Sequence, residues 1–191
     1  MSRASLQLAY DITTKANEAW ESGVFLDSVT ETTKNLLRHW FDPGYTELRQ
    51  INFHEGQKQA ILNTIFLHEV LKHDNIFQTY QQLSPDVLLD KAGGISELQH
   101  AKYSHPKYCI KMATGTGKTF VLQALLVWQY LNAKHEQGNY SKNFLVVAPG
   151  LIVYERLLDA FLGKETENDA GRDFEQSDVY KLQELFIPED Y

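Results

Sequence analysis

The sequence predicts an α/β fold in which an incomplete parallel sheet is flanked by helices and preceded by a helical N-terminal segment. Two short apolar runs, YCIKMA at residues 108–113 and NFLVVAP at residues 143–149, have the length and composition of buried strands. Each run is followed by a helical pattern, TFVLQALLVWQYLNAK after the first and GLIVYERLLDAFLG after the second. The order strand, helix, strand, helix is typical of a parallel sheet, because parallel neighbours need a crossover connection.

Three helical patterns precede the first apolar run. Residues 3–20 carry apolar side chains at mostly helical spacing, and Gly23 is expected to end that helix. A second helix is predicted from about residue 26 to residue 40, where the turn signal DPG follows at residues 42–44. A third is predicted from residue 55 to residue 72. We therefore expect a helical segment over residues 1–50 and the main domain over residues 51–191.

Residues 73–107 do not continue the helical periodicity of the preceding segments. They contain Pro85, Gly93, Gly94 and Pro106, with short helical pieces such as VLLDK and ISELQHAKY. The sequence predicts an irregular insertion in the main domain.

Composition excludes several classes of protein. Apolar residues make up 43% of the chain, which is enough for a core and argues against wholesale disorder. The apolar run after residue 118 is interrupted by Gln123 and Gln129, so it is too short for a membrane span of roughly 20 residues. The first residues lack an apolar signal core, which predicts a cytoplasmic protein without a membrane partner. Cys109 is the only cysteine, so no internal disulfide is possible, and we expect it to be a small core residue.

The net charge of −7 is concentrated at the C-terminal end, where residues 155–191 hold four basic and eleven acidic side chains. Such a segment repels phosphate backbones, so the chain by itself has no electrostatic footprint for nucleic acid. We expect an acidic tail at residues 163–191 that is solvated and partly mobile.

The turn between the first apolar run and its helix reads Thr114-Gly115-Thr116-Gly117, followed by Lys118 and Thr119. Glycines allow positive φ and close approach, so successive backbone N–H groups can face one phosphate at a helix N-terminus. Lys118 is the predicted catalytic residue, which would reach the β and γ phosphates, and the Thr119 hydroxyl would bind Mg²⁺. The sequence therefore predicts a site for ATP and Mg²⁺, although Met112 stands where the full pattern G-x-x-x-x-G-K-[ST] has its first glycine.

With methionine in that position, MATGTGKT resembles motif I of superfamily 2 helicases and translocases, whose fold is a P-loop (RecA-like) sheet. NFLVVAPGLIVYERL is similar to motif Ia, which implies that Pro149 and Gly150 approach DNA. FHEGQKQAI at residues 53–61 resembles the upstream motif L-R-P-Y-Q-x-x-A-I, which implies that Gln57 reads the adenine edge. The segment departs from that motif: His54 replaces the arginine, Glu55 the proline and Gly56 the aromatic residue.

Within the superfamily, residues 50–162 look most like the restriction (R) subunits of type III restriction enzymes and related phage-defence helicases. The resemblance implies the ATP-binding part of a DNA translocase. Its partners would be double-stranded DNA, through the full-length protein, and a methyltransferase (modification) subunit.

The acidic motif D-E-x-H, which such motors need for hydrolysis, does not follow the glycine loop in this sequence. VLLDK precedes the loop, and LLDA at residues 157–160 falls in a helical pattern. We therefore interpret the chain as the N-terminal fragment of a larger motor, able to bind nucleotide but not to hydrolyse it alone.

Two other functions stay open. One is a non-catalytic nucleotide-sensing or protein-interaction module, in which the acidic tail recruits a protein. The other is a different P-loop enzyme such as a small kinase, although no lid-like basic segment follows the second apolar run. A nuclease is disfavoured because Asp86 and Asp90 lack the separate strands that would bring their carboxylates to one metal.

Overall fold

A computed structural model describes residues 3–89, 98–166 and 171–191, and over these ranges the chain is mostly helical. The α-helices are α1 Arg3–Glu21, α2 Val24–Ser28, α3 Glu31–Phe41, α4 Pro43–Thr46, α5 Glu55–Ile65, α6 Ile76–Leu83, α7 Pro85–Leu89, α8 Lys118–His135, α9 Leu151–Leu162, α10 Asp178–Lys181 and α11 Gln183–Phe186. A π-helical turn at Phe66–Val70 continues α5, and 3-10 turns form at Ala101–Tyr103 and Phe174–Gln176.

The predicted parallel sheet is wrong. The only sheet in the described residues is a two-stranded antiparallel hairpin of β1 Lys164–Glu165 and β2 Arg172–Asp173. Residues 108–113 and 143–149, the two predicted strands, belong to no strand pair.

The physical reason lies in what a parallel strand requires. Such a strand needs a hydrogen-bonded neighbour and a covering layer on both faces, so apolar composition alone does not make one. In residues 143–149 neither requirement is met: Leu145 is 89% exposed and Val147 is 79% exposed. The apolar pattern that predicted buried strands is present, but the layers that would bury it are not assembled around it.

The helical predictions are closer to the structure. The first helix ends as expected at Gly23, whose φ is +82°. The second stretch is two helices, α2 and α3, because Thr30 interrupts it and its side-chain oxygen accepts a hydrogen bond from the Thr33 N–H at 3.1 Å. The third ends before Lys72, whose φ of +54° is incompatible with a helix. The helices predicted after the two apolar runs are confirmed as α8 and α9.

The chain forms two compact units, the first made of residues 1–29 and 59–113. In its core, Leu8 of α1 packs with Tyr80 of α6 and Leu88 of α7. Residues 73–107 thus contribute α6 and α7 to this core, and their interpretation as an insertion stays a prediction. The helical pieces VLLDK and ISELQHAKY fall partly on residues 90–97, which lie outside the described ranges.

The second unit consists of residues 30–58 and 114–191. Its buried centre combines α3, α8, α9 and α11 through the side chains of Leu36, Leu37, Trp40, Val121, Ala124, Trp128, Leu131, Ala160, Leu185 and Phe186. The sequence boundary at residue 50, between a helical segment and an ATP-binding lobe, stays a prediction.

Part of the acidic tail is buried in the second unit. Phe186 is fully buried, and its carbonyl accepts a hydrogen bond from the Trp40 indole N–H at 3.0 Å. Arg49 also holds this segment, because its Nη1 donates to the Leu185 carbonyl at 3.2 Å while its Nη2 donates to the His39 carbonyl at 2.6 Å. The same environment lowers the pKa of His39, first through burial and then through the charge of Arg49. Residues 167–170 of the tail lie outside the described ranges.

Cys109 is exposed, so its predicted place in the core is wrong. It lies on the segment 108–113, which pairs with no strand in the described residues. None of the helices in the described ranges is long and apolar enough to cross a membrane.

Candidate nucleotide-binding site

The glycine loop, residues 114–117, lies directly before α8 in the second unit. Gly115 has a φ of +81° and Gly117 a φ of +70°, both in the left-handed region that side chains other than glycine rarely adopt. Both glycines thus adopt the conformation that the sequence pattern predicts. Backbone of this kind allows neighbouring N–H groups to face a common anion.

The N-terminus of α8 has the electrostatic character that an anion requires. Gly117 is its N-cap and contributes no side-chain hydrogen bond, and no acidic residue occupies the first turn. The terminus of an 18-residue helix carries partial positive charge, which favours a phosphate group at this position. Lys118, which is exposed, and Thr119, which is half-buried, are the first two residues of the helix. The donor set at this terminus therefore fits a phosphate group.

Gln57 lies against the same loop. Its side chain is buried in the first turn of α5, and its Nε2 donates to the carbonyl oxygens of Gly117 at 3.3 Å and Thr116 at 3.5 Å. Its Oε1 accepts a hydrogen bond from the backbone N–H of His54 at 3.0 Å. The structure therefore brings Gln57 together with the glycine loop, with its carboxamide bonded to protein backbone at both ends.

The close approach of Gln57 explains why residue 117 is glycine. A Cβ added to Gly117 would lie 2.3 Å from Gln57 Nε2, far inside a van der Waals contact. At Gly115 an added Cβ meets nothing within 4 Å, although the φ is equally unfavourable. Glycine is thus favoured at residue 115 by its φ alone, and at residue 117 by its φ and by the close approach of Gln57.

Sequence reasoning missed His54, which it treated only as a departure from a family motif. Its imidazole Nε2 lies 3.0 Å from the carbonyl oxygen of Thr116. Its Nδ1 accepts from the backbone N–H groups of Gly56 at 3.0 Å and Gln57 at 3.3 Å. The available signal was a polar residue three positions before a glutamine at a helix start, which is the spacing of a capping box.

Pro149 and Gly150 are exposed and lie on the turn before α9. Gly150 is the N-cap of that helix, with no side-chain cap and no acidic residue in the first turn. The structure places them at the N-terminus of a different helix from Lys118 and Thr119. Their predicted contact with DNA stays a prediction.

No group of three or more histidine, cysteine, aspartate or glutamate side chains is arranged to hold a metal ion within the part of the chain that the structure describes. The predicted contact of Thr119, at the start of α8, with Mg²⁺ stays a prediction.

Comparison with known proteins supplies the family. No curated protein and no solved structure matches the chain. A family model, described as "Type III restriction enzyme, res subunit", matches residues 50–184, which is more than half of the chain and includes α5, the glycine loop and α9. The chain therefore belongs to the superfamily 2 helicase-like family of type III restriction enzyme res subunits.

Proposed function

We propose that this chain is the ATP-binding part of a DNA helicase or translocase of a type III restriction-modification or related phage-defence system. In the full-length protein, ATP hydrolysis would be coupled to movement on DNA. The observation that carries the proposal is the glycine loop at the uncapped N-terminus of α8, followed by Lys118 and Thr119, in a chain of this family.

The phosphate groups of ATP would lie at this helix terminus. The backbone of residues 114–117 would surround them, and Lys118 would neutralise charge on the β and γ phosphates. Thr119 would contribute its hydroxyl to Mg²⁺, which bridges the phosphate oxygens and offsets their charge. No acidic residue in the first turn of α8 opposes this arrangement.

Gln57 would recognise adenine, because a carboxamide pairs a donor and an acceptor with the N6 and N7 atoms of the base. In the structure its Nε2 faces the carbonyl oxygens of Thr116 and Gly117. Binding to the base would therefore exchange at least one of these contacts, so adenine recognition and the shape of the glycine loop would be coupled.

Double-stranded DNA would be bound by the full-length protein, with Pro149 and Gly150 on a loop that approaches the backbone. A methyltransferase subunit is the proposed protein partner. Membership of the family supports both proposed partners, and the acidic balance of residues 155–191 makes that segment an unfavourable DNA contact.

The phosphate site is tested by titrating the chain with Mg²⁺-ATP in a calorimeter, comparing the wild type with Lys118→Ala. We expect binding to weaken by about 10-fold or more, because a charge-assisted contact to phosphate is lost. Lys134→Ala, in the last turn of the same helix, is the matched control and should bind like the wild type. Equal affinity of Lys118→Ala and the wild type would contradict the proposed site.

The same protein is expected to bind ATP without hydrolysing it, since the sequence carries no D-E-x-H motif after the loop. Phosphate release measured with and without DNA checks this expectation. DNA-stimulated release that Lys118→Ala abolishes would refute it.

A further inference from the structure

We propose that His54 is a positioning residue of the glycine loop, tying the N-terminus of α5 to the loop through a hydrogen bond from its imidazole to Thr116. The contact lies within the second unit, which contains both residues. It extends the proposed nucleotide site by assigning a role to a residue outside the glycine loop.

The first step concerns the start of α5. His54 is the residue before Glu55, where the helix begins, and its Nδ1 accepts from the N–H of Gln57, three residues later. In return, Gln57 Oε1 accepts from the N–H of His54 at 3.0 Å. This reciprocal pair is a capping box with histidine in the place usually held by serine or threonine.

The second step fixes the position of the imidazole proton. Nδ1 faces two backbone N–H donors, at 3.0 Å from Gly56 and 3.3 Å from Gln57, so it must present its lone pair. In the neutral ring the proton is then on Nε2, which lies 3.0 Å from the Thr116 carbonyl oxygen and donates to it. A serine at this position could form the cap but is too short to form the second contact.

The third step is that the other member of the box also contacts the loop. Gln57 Nε2 donates to the carbonyl oxygen of Gly117 at 3.3 Å. His54 and Gln57 therefore each cap the start of α5 with one side-chain atom. With another atom, each forms a hydrogen bond to one of two adjacent carbonyl groups of the loop.

Gly56 belongs to the same arrangement. A Cβ at residue 56 would lie 3.1 Å from His54 Cε1 and 3.4 Å from Nδ1, so a larger side chain would press on the ring. The two departures from the family motif at residues 54 and 56 are thus matched, because the missing side chain at 56 makes room for the imidazole at 54.

These contacts of His54 and Gln57 with the loop affect the first turn of α8. The carbonyl of Gly117 also accepts from Phe120 N at 3.0 Å and Val121 N at 3.4 Å, which are the first hydrogen bonds of α8. Holding the carbonyl groups of Thr116 and Gly117 therefore stabilises the first turn of α8, where the proposed phosphate site lies.

His54→Ser separates the cap from the contact with the loop, because serine retains an acceptor for α5 and lacks the donor to Thr116. We expect amide exchange at Phe120 and Val121, measured by NMR without nucleotide, to become about 2- to 10-fold faster, the range for one lost neutral hydrogen bond. Exchange at Gln57 and Lys58, whose N–H groups report the start of α5, should stay as in the wild type.

Two variants complete the test. His54→Ala should accelerate exchange at both helix starts, because it removes the cap as well. His135→Ser, which changes an exposed histidine at the other end of α8, should leave both unchanged.

The second readout is calorimetric affinity for Mg²⁺-ADP, which we expect to fall about 2- to 10-fold in His54→Ser. This readout alone rests on the proposed function. If the wild type binds no nucleotide, the proposed function fails while the exchange data still decide the role of His54. Wild-type exchange at Phe120 and Val121 in His54→Ser would overturn the inference, and faster exchange confined to these amides would support it.

Discussion

At Gly117, backbone conformation and a neighbouring side chain restrict the same position. The φ of +70° disfavours any residue with a Cβ, and the Gln57 carboxamide occupies the space that a Cβ would need. Gly115 has a similar φ of +81° but open space around it. The pair therefore offers an internal comparison between backbone strain alone and strain combined with a steric clash.

Gly117→Ala is expected to destabilise the protein more than Gly115→Ala. The Gly115 variant should cost about 1–2 kcal/mol from the left-handed conformation. The Gly117 variant should cost more, because Gln57 must also leave its carbonyl partners and its buried position. Urea denaturation followed by circular dichroism gives both free energies of unfolding.

Gln57→Ala provides the control for this comparison. In that background the clash is absent, so the additional cost of Gly117→Ala should shrink to the value for Gly115→Ala. Equal costs for the two glycine variants in the wild-type background would contradict the close approach of Gln57.

Between helices, a buried polar contact joins α3 and α8 in the second unit. The Thr33 hydroxyl accepts hydrogen bonds from Trp128 Nε1 at 3.0 Å and from Asn132 Nδ2 at 2.9 Å. Thr33 and Asn132 are fully buried, and Trp128 is 2% exposed. A buried donor without a partner is costly, so this oxygen helps to fix the relative position of the two helices. Glu136 Oε1 contributes as well, because it accepts from the Thr32 N–H at 3.0 Å and the Thr32 hydroxyl at 2.7 Å.

Thr33→Val keeps the shape of the side chain but removes the acceptor. We expect a loss of about 2–4 kcal/mol in the free energy of unfolding, because two buried N–H donors lose a partner. Thermal and urea denaturation measure it. Thr33→Ser retains the hydroxyl and should cost distinctly less. If the valine variant were as stable as the wild type while the serine variant was destabilised, the methyl group rather than the hydroxyl would be the important contact.

Over the whole molecule, an exposed apolar segment distinguishes this structure from the predicted parallel sheet. Leu145 and Val147 are largely exposed, and so are Leu151 at 80% and Ile152 at 74%. A parallel sheet with helices on both faces would bury Leu145 and Val147. The exposure of these side chains is therefore a measurable property of the fold.

The chain is expected to bind an apolar fluorescent dye such as anilinonaphthalene sulfonate under native conditions. The double variant Leu145→Lys, Val147→Lys should reduce the dye fluorescence and leave the melting temperature unchanged, because neither side chain is buried. Leu48→Lys, at a residue that is 84% exposed outside this segment, is the control and should have little effect on the dye. A large fall in melting temperature of the double variant would contradict the exposure.

Particular elements show which parts of the structure could be predicted from the sequence. The start of α8 was predictable, because two glycines before Lys118 interrupt an apolar pattern and a helix-forming run follows. The break at Thr30 and the cap at His54 depend on hydrogen bonds that periodicity does not reveal. The burial of Phe186 in an acidic segment could not be predicted either, since Leu185 and Phe186 are two apolar residues in a charged sequence and form no clear hydrophobic periodicity.

The sequence by itself determined the glycine loop, the two helices α8 and α9 that follow it and the family, because these depend on local residue types and spacing. Only the tertiary structure decided that residues 108–113 and 143–149 form no parallel sheet, and that His54 and Gln57 lie against the loop. Strand pairing and contacts between residues about 60 positions apart depend on where distant backbone and covering layers lie in space, and no local pattern encodes that.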